Sequence, residues 1–133
     1  MNSKKWRLMA IGLLVIPAAY AADGSVPPLG DAQHGQQLYA PRCGGCHSID
    51  ANRIGPSHVG VFGRVGGKWP GYDFSPALKA SRLKWDAKNL DRWLADLQKL
   101  VPGQKMGYSV PDAQHRASLI AYLTTMPATS ATP

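Results

Sequence analysis

Apolar residues of this 133-residue chain recur at helical spacing in only a few segments, which are separated by stretches rich in glycine and proline. One such segment carries four apolar side chains at positions i, i+3, i+4 and i+7: Leu90, Trp93, Leu94 and Leu97. This spacing places them on one face of a helix. Asp86 is the expected N-cap of that helix, and Pro102-Gly103 is its expected end.

Three further helices are predicted from their capping residues. Their N-caps are Asp31, Ser75 and Asp112. Pro76 suits the first position of the second of these helices, which is expected to end near Ser81. Pro127 is expected to end the last one. Residues 48–70 are rich in glycine and have no helical period, so they are predicted to form loops wrapped around another group, and no strand pattern stands out.

The first 21 residues have the composition of a secretory signal peptide. A basic start precedes a short apolar run, and Ala-Tyr-Ala at 19–21 matches a signal-peptidase site. The apolar run at 8–16 is shorter than the ~20 residues that span a bilayer, although an uncleaved anchor extended to Ala22 is the alternative. The expected organisation is a cleaved signal peptide (1–21), a leader (22–29), one domain (30–127) and a flexible tail (128–133).

The charge balance excludes some classes of function. The chain has 15 Lys and Arg against 8 acidic residues, a formal net charge of +7, and cleavage of the signal peptide would remove three of the positive charges. Such a modest excess does not indicate nucleic-acid binding, which requires a dense basic stripe and a recognition motif. It suits a small soluble protein steered towards an acidic docking surface, and it is equally compatible with ordinary solubility.

The strongest chemical motif is Cys43-Gly44-Gly45-Cys46-His47, the C-x-x-C-H signature of covalent attachment of a c-type haem. Two thiols at this spacing reach two vinyl groups on one edge of a porphyrin, and the adjacent imidazole can ligate the iron. Zinc is disfavoured because the chain has only two cysteines. A dithiol redox site would not need the histidine. We therefore predict one haem c attached through Cys43 and Cys46, with His47 as its proximal ligand.

The second axial ligand decides whether such an iron transfers electrons or binds external ligands. Met106 lies in a loop between Gly103 and Gly107 that can bend over a ring, whereas Met126 lies at the end of the last predicted helix. A lone methionine is more often core filler, so the residues alone leave Met106 open. The remaining histidines are interpreted as solvated side chains: His34, His58 and His115.

Several further runs occur in a fixed order between Gly30 and Thr124. They are GDAQHGQQLYAPRCGGCH, GPSHVGVFGR, PGYDFSPALK, KW, VPGQKM and LIAYL. In these runs the chain closely resembles class I cytochrome c, in the branch with mitochondrial and photosynthetic-bacterial members. The resemblance implies an all-α fold of a few helices and long loops around one covalent haem c. It also implies a soluble, periplasmic bacterial electron carrier that is not an enzyme.

The resemblance implies a role for each matching residue. Met106 would be the distal ligand, and the carbonyl of Pro56 would accept a hydrogen bond from His47. Four side chains would lie near the buried haem propionate, two as hydrogen-bond donors, one as a positive charge and one in place of a common hydroxyl residue: Tyr72, Trp85, Arg64 and Gln104. The crossing of the first and last helices would contain Gly35, Tyr39, Leu119 and Tyr122. His58 replaces a usually apolar residue, as either a surface group or a tuning group.

The implied partners are quinol–cytochrome c reductase, a terminal oxidase or a periplasmic dehydrogenase, which would dock transiently on a monomer at a basic ring around the haem edge. Candidates for this ring are Arg42, Arg53, Lys68, Lys84, Lys99 and Lys105. One alternative is a ligand-binding or peroxidatic haem protein with a labile sixth ligand. Others are a thiol-disulfide oxidoreductase using Cys43 and Cys46, and an acceptor dedicated to one dehydrogenase.

Overall fold

The computed structural model describes residues 30–127, so the predicted signal peptide, leader and tail lie outside the described residues. Five helices occur in this range: α1 (Ala32–Arg42), α2 (Pro76–Ser81), α3 (Ala87–Ala95), α4 (Leu97–Leu100) and α5 (Ala113–Thr124). No strand forms between residues 30 and 127, where an isolated antiparallel bridge joins Val65 and Lys84. The predicted all-α fold is confirmed.

Each helix begins after a polar side chain that satisfies its free backbone amides. Asp31, for example, accepts a hydrogen bond from the amide of Gln33 at 2.8 Å. The remaining N-caps act in the same way: Ser75, Asp86, Asp96 and Asp112. Pro76 occupies the start of α2, where a missing N–H costs nothing. All four predicted helix starts are therefore confirmed.

The prediction of a single helix after Asp86 is wrong, because two helices form there. Asp96 separates α3 from α4. The backbone of Asp96 leaves the helical region, with φ −157° and ψ 95°. Its side chain accepts a hydrogen bond from the amide of Lys99 and starts a new turn. Leu97 stays buried all the same. Local capping by an aspartate competes with continuation of the helix, and apolar spacing does not reveal that competition.

Helices α1 and α5 cross in close contact. A Cβ atom on Gly35 would lie 1.9 Å from the carbonyl oxygen of Ser118 and 2.8 Å from Cβ of Tyr122. One turn later, the ring of Tyr39 packs edge-to-face on Tyr122, with centroids 5.4 Å apart. Leu119 is fully buried at the same place. The expected crossing is confirmed, and it requires glycine at position 35.

An ion pair ties α5 to α3. Nε of Arg116 lies 2.7 Å from Oδ1 of Asp91, and these side chains are only 12% and 30% exposed. Nη1 of Arg116 also donates hydrogen bonds to the carbonyls of Val110 and Pro111. Because the pair is largely shielded from water, it is screened less than a surface ion pair. It therefore fixes the loop that precedes α5 as well as the two helices.

We expect Gly35→Ala to lower the free energy of unfolding by about 2–3 kcal/mol, because the new Cβ overlaps the Ser118 carbonyl and forces α1 away from α5. Guanidinium denaturation of the purified protein measures this change. Gly45→Ala is the matched control, since a Cβ there meets no atom within 4 Å. Equal stability of the two variants would contradict the close crossing.

Candidate haem-binding site

A cavity of about 430 Å³ lies between the helices and the long loops. Its walls include large apolar side chains of α2, α3 and α5: Leu78, Leu90, Trp93, Leu94, Leu119 and Leu123. All nine site residues predicted from the sequence also line it: Cys43, Cys46, His47, Pro56, Arg64, Tyr72, Trp85, Gln104 and Met106. The fold thus gathers residues that are far apart in the chain around one largely apolar space.

The C-x-x-C-H motif forms a tight turn immediately after α1. The amides of Cys46 and His47 donate hydrogen bonds to the carbonyl of Cys43 at 3.1 and 2.9 Å. Partial burial raises the pKa of the Cys43 thiol to about 11, although the positive charge of Arg42 acts to lower it. A nucleophilic dithiol needs the opposite, a lowered pKa that yields thiolate. This environment disfavours the thiol-disulfide oxidoreductase alternative.

His47 is buried, with only 8% of its surface exposed. Its Nδ1 donates a hydrogen bond to the carbonyl of Pro56 at 2.8 Å, which leaves Nε2 with its lone pair free for a metal. Burial lowers the pKa of His47. Gly55 lies against the ring, since a Cβ there would come within 2.2 Å of Cε1. This contact between Gly55 and the His47 ring explains why a glycine precedes Pro56. Sequence reasoning had assigned no role to Gly55.

The prediction that His58 is a solvated side chain is wrong. Its ring stacks on His47, with centroids 4.0 Å apart and planes 20° from parallel. Its Nδ1 is hydrogen-bonded to the hydroxyl of Tyr39 at 2.9 Å. Burial lowers the pKa of His58 to about 3, and His47 and Arg64 act in the same direction. A single histidine in a glycine-rich loop carries no sequence signal for such contacts, which are compatible with the alternative of a tuning group.

The other two histidines lie beside the α1–α5 crossing. The rings of His34 and His115 meet edge-to-face, with centroids 5.6 Å apart. Nδ1 of His115 is 3.5 Å from Nη2 of Arg42 and 3.9 Å from Oδ1 of Asp112. Both histidines are partly exposed, as a solvated interpretation requires, but they also contact each other. Within residues 30–127 no three His, Cys, Asp or Glu residues form a group that could hold a metal ion.

Gln104 holds the loop that carries Met106. Its Nε2 donates a hydrogen bond to the carbonyl of Met106 at 2.7 Å, and its Oε1 accepts one from the amide of Met106. The Gln104 side chain is buried, and Gly103 just before it has a φ of +86°, which favours glycine. The resemblance implied a position near a propionate for Gln104. The contact observed here is with the backbone of Met106, and it restrains that loop.

Arg64 brings a positive charge to the cavity. Its Nη2 donates to the carbonyl of Ser57 at 2.7 Å, and the guanidinium lies 4.1 Å above the ring of Trp69. Burial lowers its pKa to about 10, so it remains charged at neutral pH. Its Nη1 is buried and has no hydrogen-bond partner among the described residues. Because such a group is costly, a bound carboxylate would stabilise it. Sequence reasoning had missed the contribution of Trp69.

Tyr72 and Trp85 lie at the cavity wall, where the resemblance implied them. The hydroxyl of Tyr72 donates to the carbonyl of Ile54 at 2.7 Å, so a hydrogen bond to a propionate requires that proton to turn away from Ile54. Trp85 packs edge-to-face on Trp93, with ring centroids 5.1 Å apart. Both side chains therefore line the cavity.

These residues fit a covalently attached haem. Two cysteines and an oriented imidazole lie in one turn, a methionine loop lines the same cavity, the walls are apolar, and Nη1 of Arg64 suits a carboxylate. A helical fold with such a site defines the class of c-type haem proteins. The sequence profile of the family described as cytochrome c matches residues 32–127.

Individual relatives agree with this match. Cytochrome c2 of Rhodopila globiformis is 44% identical over 106 residues, which cover 77% of this chain and 99% of that protein. Cytochrome c-type cyt cy of Rhodobacter capsulatus is 37% identical over 84% of this chain, which spans 57% of that protein. The solved structure of cytochrome cH from Methylobacterium extorquens is 45% identical, has a TM-score of 0.69, and is matched over 72% of this chain and 99% of that chain.

The chain belongs to the cytochrome c family. It carries one covalent haem c through Cys43 and Cys46. It is an electron carrier and not an enzyme.

We expect Gly55→Ala to displace the His47 ring, because the added Cβ would overlap three of its atoms. The visible spectrum should show a larger high-spin fraction, and the free energy of unfolding should fall by about 2 kcal/mol. Gly45→Ala is the control, because its Cβ would meet no atom within 4 Å and Gly45 does not line the cavity. A wild-type spectrum and stability for Gly55→Ala would show that His47 does not depend on this contact.

Proposed function

We propose that His47 and Met106 are the two axial ligands of the haem iron, and that through this site the protein shuttles single electrons between redox partners. The observation that carries the proposal is that His47 and Met106 line the same apolar cavity. The ring of His47 and the backbone of Met106 are both restrained by hydrogen bonds. His47 is restrained through Pro56, and Met106 through Gln104. Restraint of the His47 ring and of the Met106 backbone suits a site whose geometry changes little when an electron arrives or leaves.

The bound haem supplies a one-electron iron couple. The hydrogen bond from His47 to Pro56 raises the basicity of Nε2 and fixes the tautomer. The Met106 thioether is a soft, weak donor, which favours the reduced state. The apolar walls exclude water and act in the same direction, because a low-dielectric site disfavours additional positive charge. Together these residues favour a higher reduction potential than two imidazoles in a wet site would.

We assign the buried propionate to Nη1 of Arg64, the partnerless N–H beside the cavity. Trp69 keeps the guanidinium in place through a cation–π contact. Trp85 would add a hydrogen bond, and Tyr72 would do so if its hydroxyl turned from Ile54. The charge of Arg64 would offset that of the propionate inside a medium where unpaired charges are costly.

We propose that the protein works in the periplasm after cleavage of the signal peptide 1–21. The basic start, apolar run and Ala-Tyr-Ala site support this location. In residues 30–127 no helix has the length and apolar character needed to cross a membrane.

The protein exchanges electrons with redox partners. We propose as partners quinol–cytochrome c reductase, a terminal oxidase or a periplasmic dehydrogenase. Arg42 and Lys105 of the expected basic ring line the cavity. Lys105 is not a free cation, however, because Asp73 pairs with it at 3.0 Å and with Lys79 at 3.1 Å. These two lysines lower the pKa of Asp73, so its carboxylate stays charged at neutral pH and offsets part of the ring.

The axial ligands are tested by the visible spectrum of the purified protein with and without carbon monoxide. We expect low-spin bands, a methionine-to-ferric-iron charge-transfer band and no response to carbon monoxide. Met106→Ala should lose that band, bind carbon monoxide and have a lower potential, because the thioether is removed. Met126→Leu is the control, since Met126 is buried outside the cavity lining. Carbon monoxide binding by the native protein would favour the ligand-binding or peroxidatic alternative.

The docking charge is tested with Asp73→Asn, which frees Lys79 and Lys105 from their shared carboxylate. We expect oxidation by ferricyanide to become roughly threefold faster at low ionic strength and the difference to disappear in high salt. Asp50→Asn removes the same charge from a carboxylate that accepts a hydrogen bond from Ser48. If the two variants had equal effects, overall charge rather than the lysine pair would govern the rate.

A further inference from the structure

His58 connects the proximal side of the site to the α1–α5 crossing through direct contacts. Its ring stacks on His47 at 4.0 Å. Its Nδ1 is hydrogen-bonded to the hydroxyl of Tyr39 at 2.9 Å. The ring of Tyr39 in turn packs on Tyr122, with centroids 5.4 Å apart. A continuous series of ring contacts therefore runs from the most closely packed helix pair to the expected iron ligand.

Packing alone does not require a histidine at position 58. An apolar side chain could fill the space without burying ring nitrogens, which costs free energy unless they are hydrogen-bonded. The hydroxyl of Tyr39 meets that requirement in this chain. Tyr39 is itself 7% exposed and lies in the apolar core. Buried Tyr39 and partly buried His58 thus form a hydrogen-bonded pair. The ring that stacks face-to-face on His58 in the described structure is that of His47.

The contacts of His47 show what this pair contributes. The hydrogen bond to Pro56 fixes the position of Nδ1, but a bond at one ring atom does not fix the tilt of the ring plane. A second ring only 20° from parallel does restrain the plane. The loop that carries His58 is fixed as well, because its amide donates to the carbonyl of Ser48 at 3.0 Å. The His58 ring is therefore held in place and packs against the face of the His47 ring.

We propose that His58 is a positioning residue for His47, and that Tyr39 holds His58 in register through its hydroxyl. The stack would set the orientation of the His47 imidazole plane, and with it the overlap of the ring with the iron orbitals that hold the unpaired electron in the oxidised protein. This inference rests on the proposed ligation of iron by His47. It assigns a role in tuning the site to two cavity residues that are neither attachment sites nor proposed iron ligands.

The experiment measures the haem methyl proton shifts of the oxidised holoprotein and its reduction potential. These shifts report the orientation of the axial imidazole and do not follow from stability alone. The variants are His58→Leu, which loses the ring and the hydrogen bond, His58→Phe, which keeps only the ring, and Tyr39→Phe, which removes the hydroxyl. The thermal unfolding midpoint of each variant is recorded alongside. Tyr122→Phe is the matched control, because it deletes another hydroxyl at the same crossing and leaves the Tyr39–His58 bond intact.

We expect His58→Leu to change the spread of the methyl shifts and to move the potential. His58→Phe should lie nearer to wild type, because a ring still stacks on His47. Tyr39→Phe should show a smaller change in the same direction as His58→Leu, and Tyr122→Phe should show none. In the His58→Phe background, Tyr39→Phe should have no further effect, since the bond it removes is already absent.

Two results would overturn the inference. In the first, His58→Leu lowers the unfolding midpoint but keeps the wild-type shifts and potential, which would make His58 merely structural. In the second, Tyr39→Phe has the same effect in both backgrounds, which would mean that Tyr39 does not act through His58. Failure of the underlying ligation is visible separately, because the wild-type protein would then lack a low-spin spectrum.

Discussion

The close crossing of α1 and α5 places the C-x-x-C-H turn in the fold. Because Gly35 lets the two backbones meet, α1 packs directly against α5. The C-x-x-C-H turn follows directly, so the position of α1 determines where both thiols and His47 enter the cavity. The same crossing buries Tyr39, whose hydroxyl reaches back to His58. The packing of α1 on α5 therefore helps to determine the geometry of the redox site.

The second principle of the site is that polar groups in an apolar cavity are tied to specific neighbours. His47 donates to Pro56, His58 is bonded to Tyr39, and Gln104 brackets Met106 with two hydrogen bonds. Each bond avoids the cost of a buried polar group and removes a degree of freedom from a residue close to the iron site. A carrier of single electrons benefits from such restraint, since less of the protein has to rearrange when the charge of the centre changes.

The surface around the cavity follows different rules from its interior. Asp73 pairs with two lysines, and Ile54, at the cavity wall, is 74% exposed. Exposed ion pairs are weak and sensitive to salt, so this face combines two partly neutralised lysines with an exposed apolar side chain. Such a surface suits brief encounters, in which orientation at the haem edge matters more than lasting affinity. The interior preserves the site, while the exterior permits rapid exchange of partners.

Much of this protein was determined locally and was therefore predictable from sequence. Asp31, Ser75 and Asp112 cap helices through neighbouring amides, and the C-x-x-C-H spacing matches haem attachment within five residues. Features that depend on contacts between distant segments, by contrast, arise only in the folded chain. His58 meets Tyr39 and His47 only in the folded chain, Gly55 meets the His47 imidazole, and Gln104 meets the backbone of Met106. A short motif specifies chemistry because its atoms are bonded neighbours. A stacked ring or a buried charge acquires its function only when folding brings a partner to it.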